Sequence, residues 1–214
     1  MALRELHRLL PRENILYLAD RKHAPYGTKT KEEIIKLTKS DIKRLKTMGA
    51  EKILIACCTA SSVHSMLEGW EREISIPIIK PAAALAAKTG RRVAVIATNY
   101  TANNHIFRRE IEEYKKIDIF EFGEQELVRM VEMGCRDKSI TKECEKHLLR
   151  IAERTKRLTA DTLILGCTHF SHLEGRLKTL LPNTNIINPV KEGATTLAEA
   201  KNQSKEQAKI LYTE

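Results

Sequence analysis

The sequence has 214 residues, of which 42% are hydrophobic and 30% are charged, a balance typical of a soluble globular chain with a sizeable core. The formal net charge is +9, but aromatic residues make up only 5%, too few for a base-stacking surface. No apolar run approaches the ~20 residues that span a bilayer. Composition therefore predicts neither specific nucleic-acid binding nor membrane insertion.

The chain opens with an amphipathic helix, whose leucines at positions 3, 6, 9 and 10 form one stripe and which ends at Pro11. Short β-branched runs then alternate with longer amphipathic stretches. We predict strands at Asn14–Ala19, Lys52–Cys57, Ile76–Ile79, Arg92–Thr98, Ile117–Phe122, Thr162–Cys167 and Asn185–Asn188. We predict helices at Lys31–Met48, Ser61–Arg72, Asn103–Lys115, Glu124–Glu132, Thr141–Leu158 and Leu173–Leu181. This alternation predicts an α/β fold with mostly parallel sheets flanked by helices.

Two stretches of the sequence resemble each other and predict two similar α/β lobes. Residues 52–63 and 162–173 each read as a buried strand that ends in a small residue, followed by cysteine, threonine and the start of a helix. We predict a first lobe of residues 1–80 plus about 189–214 and a second lobe of residues 81–188.

The five cysteines are expected to be free thiols. Their number is odd and no secretory leader precedes them, which predicts a cytoplasmic protein. No C-x-x-C pair is present, so a zinc knuckle is not predicted. A C-x-H-x-x-H metal site formed by Cys167, His169 and His172 stays open as an alternative.

Cys57 and Cys167 are the candidate catalytic residues. Each follows a predicted buried strand and precedes a helix, at the edge where open α/β sheets bind ligands. Free backbone N–H groups and the helix dipole stabilise a thiolate there, and His169 lies two residues from Cys167. Hydroxyl residues follow both cysteines and could bind carboxylates or cap the helices, namely Thr59, Ser61, Ser62, Thr168 and Ser171.

Two reactive thiols at one pocket suggest inversion of a stereocentre. One thiolate would remove the α-proton of an amino acid, and the other thiol would protonate the opposite face. No Gly-rich phosphate loop and no recognisable pyridoxal lysine appear, so no cofactor and no metal are predicted.

The motifs resemble those of the glutamate racemases, in the cofactor-independent aspartate/glutamate racemase superfamily, over nearly the whole chain. They are Y-L-A-D-x4-P-Y-G-T (Tyr17–Thr28), I-A-C-C-T-A-S (Ile55–Ser61), T-x-x-T (Thr98–Thr101), V-E-x-G around Glu132, and L-G-C-T-H-F (Leu165–Phe170). The resemblance implies racemisation of glutamate, which supplies D-glutamate for bacterial peptidoglycan, and permits a homodimer. It implies two α/β lobes with the active site in the cleft between them. It also implies Cys57 and Cys167 as the acid/base pair, assisted by His169, with Glu132 near the site. Substrate contacts are implied for Pro25, Tyr26, Gly27, Thr28, Cys58, Thr59, Thr101 and Thr168.

Three positions depart from the family pattern. The opening D-S-G-x-G-G motif has no counterpart here, Cys58 replaces the asparagine of A-C-N-T-A, and Asn188-Pro189 replaces a late D-S. Two alternatives therefore stay open: a racemase for aspartate or another amino acid, and an inactive, N-terminally truncated remnant that only binds an acidic ligand or partner.

Overall fold

The computed structural model describes residues 1–204 and 209–212, with side chains described as far as residue 201. Two compact units make up the chain. One comprises Met1–Pro81 and the chain from Val190 onward, and the other comprises Ala82–Pro189. The second unit is therefore one continuous segment inserted into the first.

Helices and strands alternate along the chain. The helices are α1 (Ala2–Leu9), α2 (Lys31–Thr47), α3 (Cys58–Ser61), α4 (Gly69–Ile74), α5 (Ile79–Thr89), α6 (Asn99–Asn103), α7 (Ile106–Glu112), α8 (Gln125–Glu132), α9 (Lys142–Arg157), α10 (Glu174–Leu180) and α11 (Pro189–Ser204). The strands are β1 (Asn14–Tyr17), β2 (Ile53–Ile55), β3 (Ser75–Pro77), β4 (Arg92–Ala97), β5 (Asp118–Gly123), β6 (Thr162–Gly166), β7 (Asn185–Ile187) and β8 (Lys209–Tyr212). Short 3₁₀ helices cover Tyr26–Thr28, His64–Met66 and Thr168–Leu173.

The first unit contains two parallel strand pairs, β1 with β8 and β2 with β3. Helix α2 buries Ile34, Ile42 and Leu45, which recur on one face at helical spacing. It begins with a capping box, because the Thr30 hydroxyl accepts a hydrogen bond from the Glu33 N–H and the Glu33 carboxylate accepts one from the Thr30 N–H. This cap fixes the start of α2 directly after the first 3₁₀ helix.

The second unit contains a four-stranded, all-parallel sheet in the order β5-β4-β6-β7. The central strands β4 and β6 are apolar and buried from Val93 and Thr162 onward, as expected for strands covered on both faces. Ala97 pairs with Gly166, so β4 and β6 end side by side. The residues that follow these two strands therefore emerge at the same edge of the sheet.

The structure confirms the predicted fold class, an α/β protein with parallel sheets flanked by helices. The opening helix and most predicted strands also lie where expected, within one or two residues at each end. The third strand is displaced toward the N-terminus, because β3 ends at Pro77 and α5 begins at Ile79.

The single helix predicted at Ser61–Arg72 is wrong. The region forms α3, the 3₁₀ helix His64–Met66 and then α4, which starts with its own capping box between Glu68 and Glu71. The Ser61 hydroxyl donates to the Ile55 carbonyl, and this bond ties the last residue of α3 to the end of β2. Local caps thus override the continuous amphipathic pattern.

The helix predicted at Asn103–Lys115 is also two helices. Between α6 and α7, His105 has a left-handed backbone with φ of 51°, which interrupts the helical path. Helices α5 and α11 were not among the predicted elements. Within residues 1–204, no helix combines the length and the apolar character needed to cross a bilayer.

Candidate active site

Cys167 and Thr98 lie at the carboxyl edge of the sheet in the second unit. Cys167 follows β6 in extended conformation and precedes the last 3₁₀ helix, and Thr98 follows β4 and caps α6. A glycine is required before the cysteine, because a Cβ on Gly166 would lie 2.9 Å from both the Ile96 carbonyl oxygen and the Phe107 ring. The thiol is thereby held where open α/β sheets bind ligands.

His169 links Cys167 to a carboxylate. Its Nδ1 lies 3.5 Å from the Cys167 Sγ, and its Nε2 lies 3.4 Å from Oε1 of Glu132, the last residue of α8. An imidazole whose Nε2–H points at a carboxylate presents the Nδ1 lone pair to the thiol. The arrangement can therefore accept the thiol proton and return it.

Three threonines, Thr98, Thr101 and Thr168, follow the ends of β4 and β6. The Thr98 hydroxyl donates to the Thr101 hydroxyl at 3.0 Å and accepts from the Thr101 N–H at 3.2 Å. Thr168 is the first residue of the 3₁₀ helix that follows Cys167 and is partly exposed. Threonine hydroxyls thus follow the ends of both β4 and β6, at the same edge of the sheet as the Cys167 thiol.

Cys57 occupies the corresponding position in the first unit. It lies two residues after the end of β2, has extended backbone, and immediately precedes α3. Cys57 is half-buried, whereas Cys58 and Thr59 are buried in the first turn of α3. The carbonyl of Cys57 accepts a hydrogen bond from the Ser61 N–H at 2.8 Å, which anchors this turn.

The Pro-Tyr-Gly-Thr segment lies against α3. A cis peptide bond precedes Pro25, and Tyr26, Gly27 and Thr28 form the first 3₁₀ helix. The Thr28 hydroxyl donates to the Pro25 carbonyl at 3.0 Å, which closes the turn. The predicted substrate-binding residues of this unit therefore lie in the first turn of α3 and in a turn that contacts α3.

The Tyr26 hydroxyl contacts two carboxylates. It donates to Asp20 at 2.8 Å and lies 3.2 Å from Asp41, and His23 approaches Asp20 at 2.8 Å. Burial and the neighbouring Asp20 charge raise the pKa of Asp41. Burial would raise the pKa of Asp20 as well, but hydrogen bonds from Tyr26 and His23 outweigh it and lower that pKa. These hydrogen bonds fix the position of the Tyr26 side chain.

The predicted site residues therefore fall into two groups, one in each unit. The first unit holds Pro25, Tyr26, Gly27, Thr28, Cys57, Cys58 and Thr59. The second unit holds Thr101, Glu132, Cys167, Thr168 and His169. Each group is built on a thiol at the end of a buried parallel strand.

Comparison with known proteins identifies the family. The family described as Asp/Glu/Hydantoin racemase matches residues 3–197 of the chain. The chain belongs to this racemase family. Among curated members, the glutamate racemase of Trichodesmium erythraeum is 36% identical over 190 residues, covering 86% of this chain and 68% of that protein. The glutamate racemase of Persephonella marina is 35% identical over 198 residues, covering 91% and 75%.

Solved structures of racemases share the fold. The glutamate racemase of Francisella tularensis, in complex with D-glutamate, matches with a TM-score of 0.81 at 23% identity, covering 99% of this chain and 82% of that one. The Thermus thermophilus enzyme, in complex with beta-chloro-D-alanine, matches with a TM-score of 0.76 at 26% identity, covering 99% and 81%. The resemblance that the motifs indicated is thus confirmed.

Sequence reasoning missed several residues that support the racemase site. Asp20 and Asp41 hold Tyr26, and Ser171 bonds to Asn188 within the second unit. Asp20 belongs to the quoted Y-L-A-D motif and could have been singled out. Asn188 was marked only as a departure from the family's late D-S, and no local pattern marks Asp41.

Two of the hydroxyls that sequence reasoning offered to a carboxylate ligand are used by the fold. Ser61 donates to the Ile55 carbonyl and accepts from the Ile78 N–H, and Ser62 donates to the Thr59 carbonyl. The two Ser61 bonds hold α3 against β2 and the residue that follows β3. In the described part of the chain, no three His, Cys, Asp or Glu side chains are grouped in a way that could hold a metal ion.

The Cys144 thiol, which lies in the hydrophobic core of the second unit, should react much more slowly than Cys57. Burial, followed by a hydrogen bond and charge interaction with Cys135, raises the pKa of Cys144 to about 12. At pH 8, only about one Cys144 in ten thousand is then a thiolate. We expect iodoacetamide to label Cys57 in the folded protein and to reach Cys144 only after unfolding in guanidinium, as measured by peptide mass spectrometry. Equal labelling rates in the folded protein would contradict this expectation.

Proposed function

We propose that this chain is a glutamate racemase that inverts Cα of glutamate by proton transfer between Cys57 and Cys167 without a cofactor. The observation that carries the proposal is the thiol–imidazole–carboxylate arrangement of Cys167, His169 and Glu132 at the end of β6. A second thiol at the end of β2 and the glutamate racemase relatives support the same conclusion.

The proposed reaction balances without a redox partner. One cysteine, as the thiolate, takes the Cα proton, and the electron pair of the broken C–H bond stays on Cα, where the adjacent carboxylate delocalises it. The second cysteine, as the thiol, forms a new C–H bond on the opposite face by giving up its own proton. The two cysteines have then exchanged protonation states, which suits catalysis in the reverse direction.

His169 serves the Cys167 half of the reaction. With its Nε2–H directed at Glu132, the imidazole accepts the Cys167 proton at Nδ1 when this cysteine must be a thiolate. The resulting imidazolium lies beside both the thiolate and the carboxylate, and their charges stabilise it. When Cys167 must instead donate to Cα, the neutral imidazole leaves the thiol protonated.

Substrate binding is assigned to the two groups of donors around the thiols. We assign the carboxylate and ammonium groups of glutamate to Pro25, Tyr26, Gly27, Thr28, Cys58 and Thr59 in the first unit and to Thr101 and Thr168 in the second. We further propose a cytoplasmic enzyme that supplies D-glutamate for peptidoglycan and functions as a homodimer.

A deuterium experiment tests the function directly. L-Glutamate is incubated with the protein in D₂O containing a chelator and no added cofactor, and the products are separated by chiral chromatography and examined by mass spectrometry. We expect D-glutamate carrying deuterium at Cα from the first turnover, while unreacted L-glutamate initially keeps its hydrogen. A parallel reaction uses L-aspartate, and conversion of aspartate without conversion of glutamate would contradict the proposed substrate. First-turnover product that keeps the substrate's own proton would contradict the two-thiol mechanism.

A further inference from the structure

A buried hydrogen-bonded chain joins the catalytic turn of the second unit to the end of β7. Ser171 lies in the 3₁₀ helix that follows Cys167, and its hydroxyl donates to Asn188 Oδ1 at 3.1 Å. Asn188 Nδ2 then donates to Glu174 Oε2 at 2.7 Å. All three residues are at most 6% exposed. The geometry of the turn that carries His169 is therefore coupled to Asn188.

An amide is the side chain that fits this chain of bonds. Asn188 must accept from a hydroxyl with its oxygen and donate to a carboxylate with its nitrogen, and these two contacts fix the orientation of the amide. An ionised carboxylate at position 188 could accept from Ser171 but could not donate to Glu174. It would instead place two like charges at hydrogen-bond distance in a buried setting, which is strongly unfavourable.

Glu174 faces Asn188 although it is the first residue of α10. The Asp137 carboxylate instead accepts hydrogen bonds from the N–H groups of Gly175 and Arg176 in the first turn of α10, at 3.0 and 2.9 Å. The Asp137 N–H also donates to the His172 carbonyl at 2.9 Å. The segment from the thiol to α10 is thus held at two points, by Asp137 on one side and by Asn188 on the other.

We propose that Asn188, together with Glu174 and Ser171, is a positioning unit that holds the Thr168–Leu173 turn so that His169 remains aligned with Cys167. Glu174 makes the amide at position 188 a requirement, although the family pattern quoted above has an aspartate there. The catalytic consequence rests on the proposed racemase function, whereas the geometric consequence concerns Cys167 itself and can be measured without turnover.

The first variant is Asn188→Asp. We expect kcat for glutamate racemisation to fall by at least tenfold at pH 8, with a smaller change in KM, because the variant disturbs the alignment of the proton-transfer groups and Thr168 is the one assigned substrate donor in the affected turn. Lowering the pH to about 5.5 should recover part of the loss, because one carboxyl of the 174/188 pair takes up a proton and donates again. Lys178 lies 2.7 Å from Glu174, Asp137 bonds the N–H groups that follow Glu174, and both charged groups stay unchanged.

The second variant is the exchange Asn188→Asp with Glu174→Gln. The glutamine amide can donate to the new aspartate, which still accepts from Ser171, so donor and acceptor are exchanged without altering the number of bonds. We expect kcat within about threefold of the original value and loss of the acid-side recovery. Glu174→Gln alone is the matched control, and we expect it to be mild because its amide oxygen can accept from Asn188.

Thiol reactivity separates this proposal from the proposed function. In Asn188→Asp we expect the alkylation rate of Cys167 to change at least threefold while that of Cys57, in the other unit, stays constant. If the original protein does not racemise glutamate, the proposed function fails, and the change at Cys167 still decides the positioning role. Should Asn188→Asp not fold, Ser171→Ala removes one bond of the chain and should lower kcat three- to tenfold. A folded Asn188→Asp or Ser171→Ala with unchanged kcat, pH profile and Cys167 reactivity would overturn the proposal.

Discussion

Cys57→Ser and Cys167→Ser should each lose racemisation, with kcat/KM lower by roughly 10²–10⁴-fold, the usual contribution of a general acid or base. A serine hydroxyl is too weak an acid to exist as the alkoxide at neutral pH, so it cannot take the Cα proton even when it occupies the same position at the strand end. Initial rates in both directions, followed by chiral chromatography of glutamate, measure the loss.

The two serine variants should differ in the exchange that remains. Cys57→Ser keeps Cys167, which can still remove and return a proton on one face, so Cα deuterium exchange without inversion should persist for one enantiomer only. Cys167→Ser should show the opposite enantiomer. Cys135→Ala is the control, because Cys135 is buried in the hydrophobic core of the second unit, and it should retain activity if its melting temperature shows it to be folded. Full racemisation in either serine variant would refute the two-thiol mechanism.

His169→Asn should lower kcat/KM by roughly 10²-fold, because the group that accepts and returns the Cys167 proton is lost. Glu132→Gln should cost much less, about three- to thirtyfold, since the partly exposed carboxylate acts through the imidazole. The equilibrium constant between enantiomers is one, so kcat/KM must fall equally in both directions. Steady-state assays with each enantiomer check the equality.

Isotope effects then locate the defect in the His169 variant. Slower proton transfer at Cys167 should raise the kinetic isotope effect for the α-deuterated enantiomer that Cys167 deprotonates and lower it for the other. His105→Asn is the matched control, because His105 pairs with Glu121 at 2.8 Å in the same unit, and asparagine tolerates its left-handed backbone. Equal isotope effects for both enantiomers, unchanged from the original protein, would assign His169 no special role at Cys167.

The sequence was informative about the fold wherever burial and periodicity agree. β4 and β6 are continuous apolar runs covered on both faces, and α2 and α9 combine long amphipathic patterns with N-terminal threonine caps. Prediction failed between residues 61 and 72, where the apolar spacing suits one continuous helix. The capping box of Glu68 and Glu71 instead begins a separate helix, α4. It also failed at His105, because nothing local to that residue announces a left-handed turn.

The candidate site was predictable where chemistry lies close together along the chain. Cys167 and His169 are two residues apart, and their contact follows from the start of the 3₁₀ helix. The partners that orient the site come from elsewhere in the sequence, as Asn188 and Asp41 do. Their roles depend on tertiary packing, which places distant residues beside one another and leaves no short motif.

The order of the two units along the chain bears on the order in which they fold. All four strands of the inserted unit's sheet lie between residues 92 and 187, so this sheet can form without α11 and β8. The first unit pairs β1 with β8, strands that the whole inserted unit separates in sequence, and such distant pairings form slowly. We therefore expect refolding chains to order the half carrying Cys167 before the half carrying Cys57.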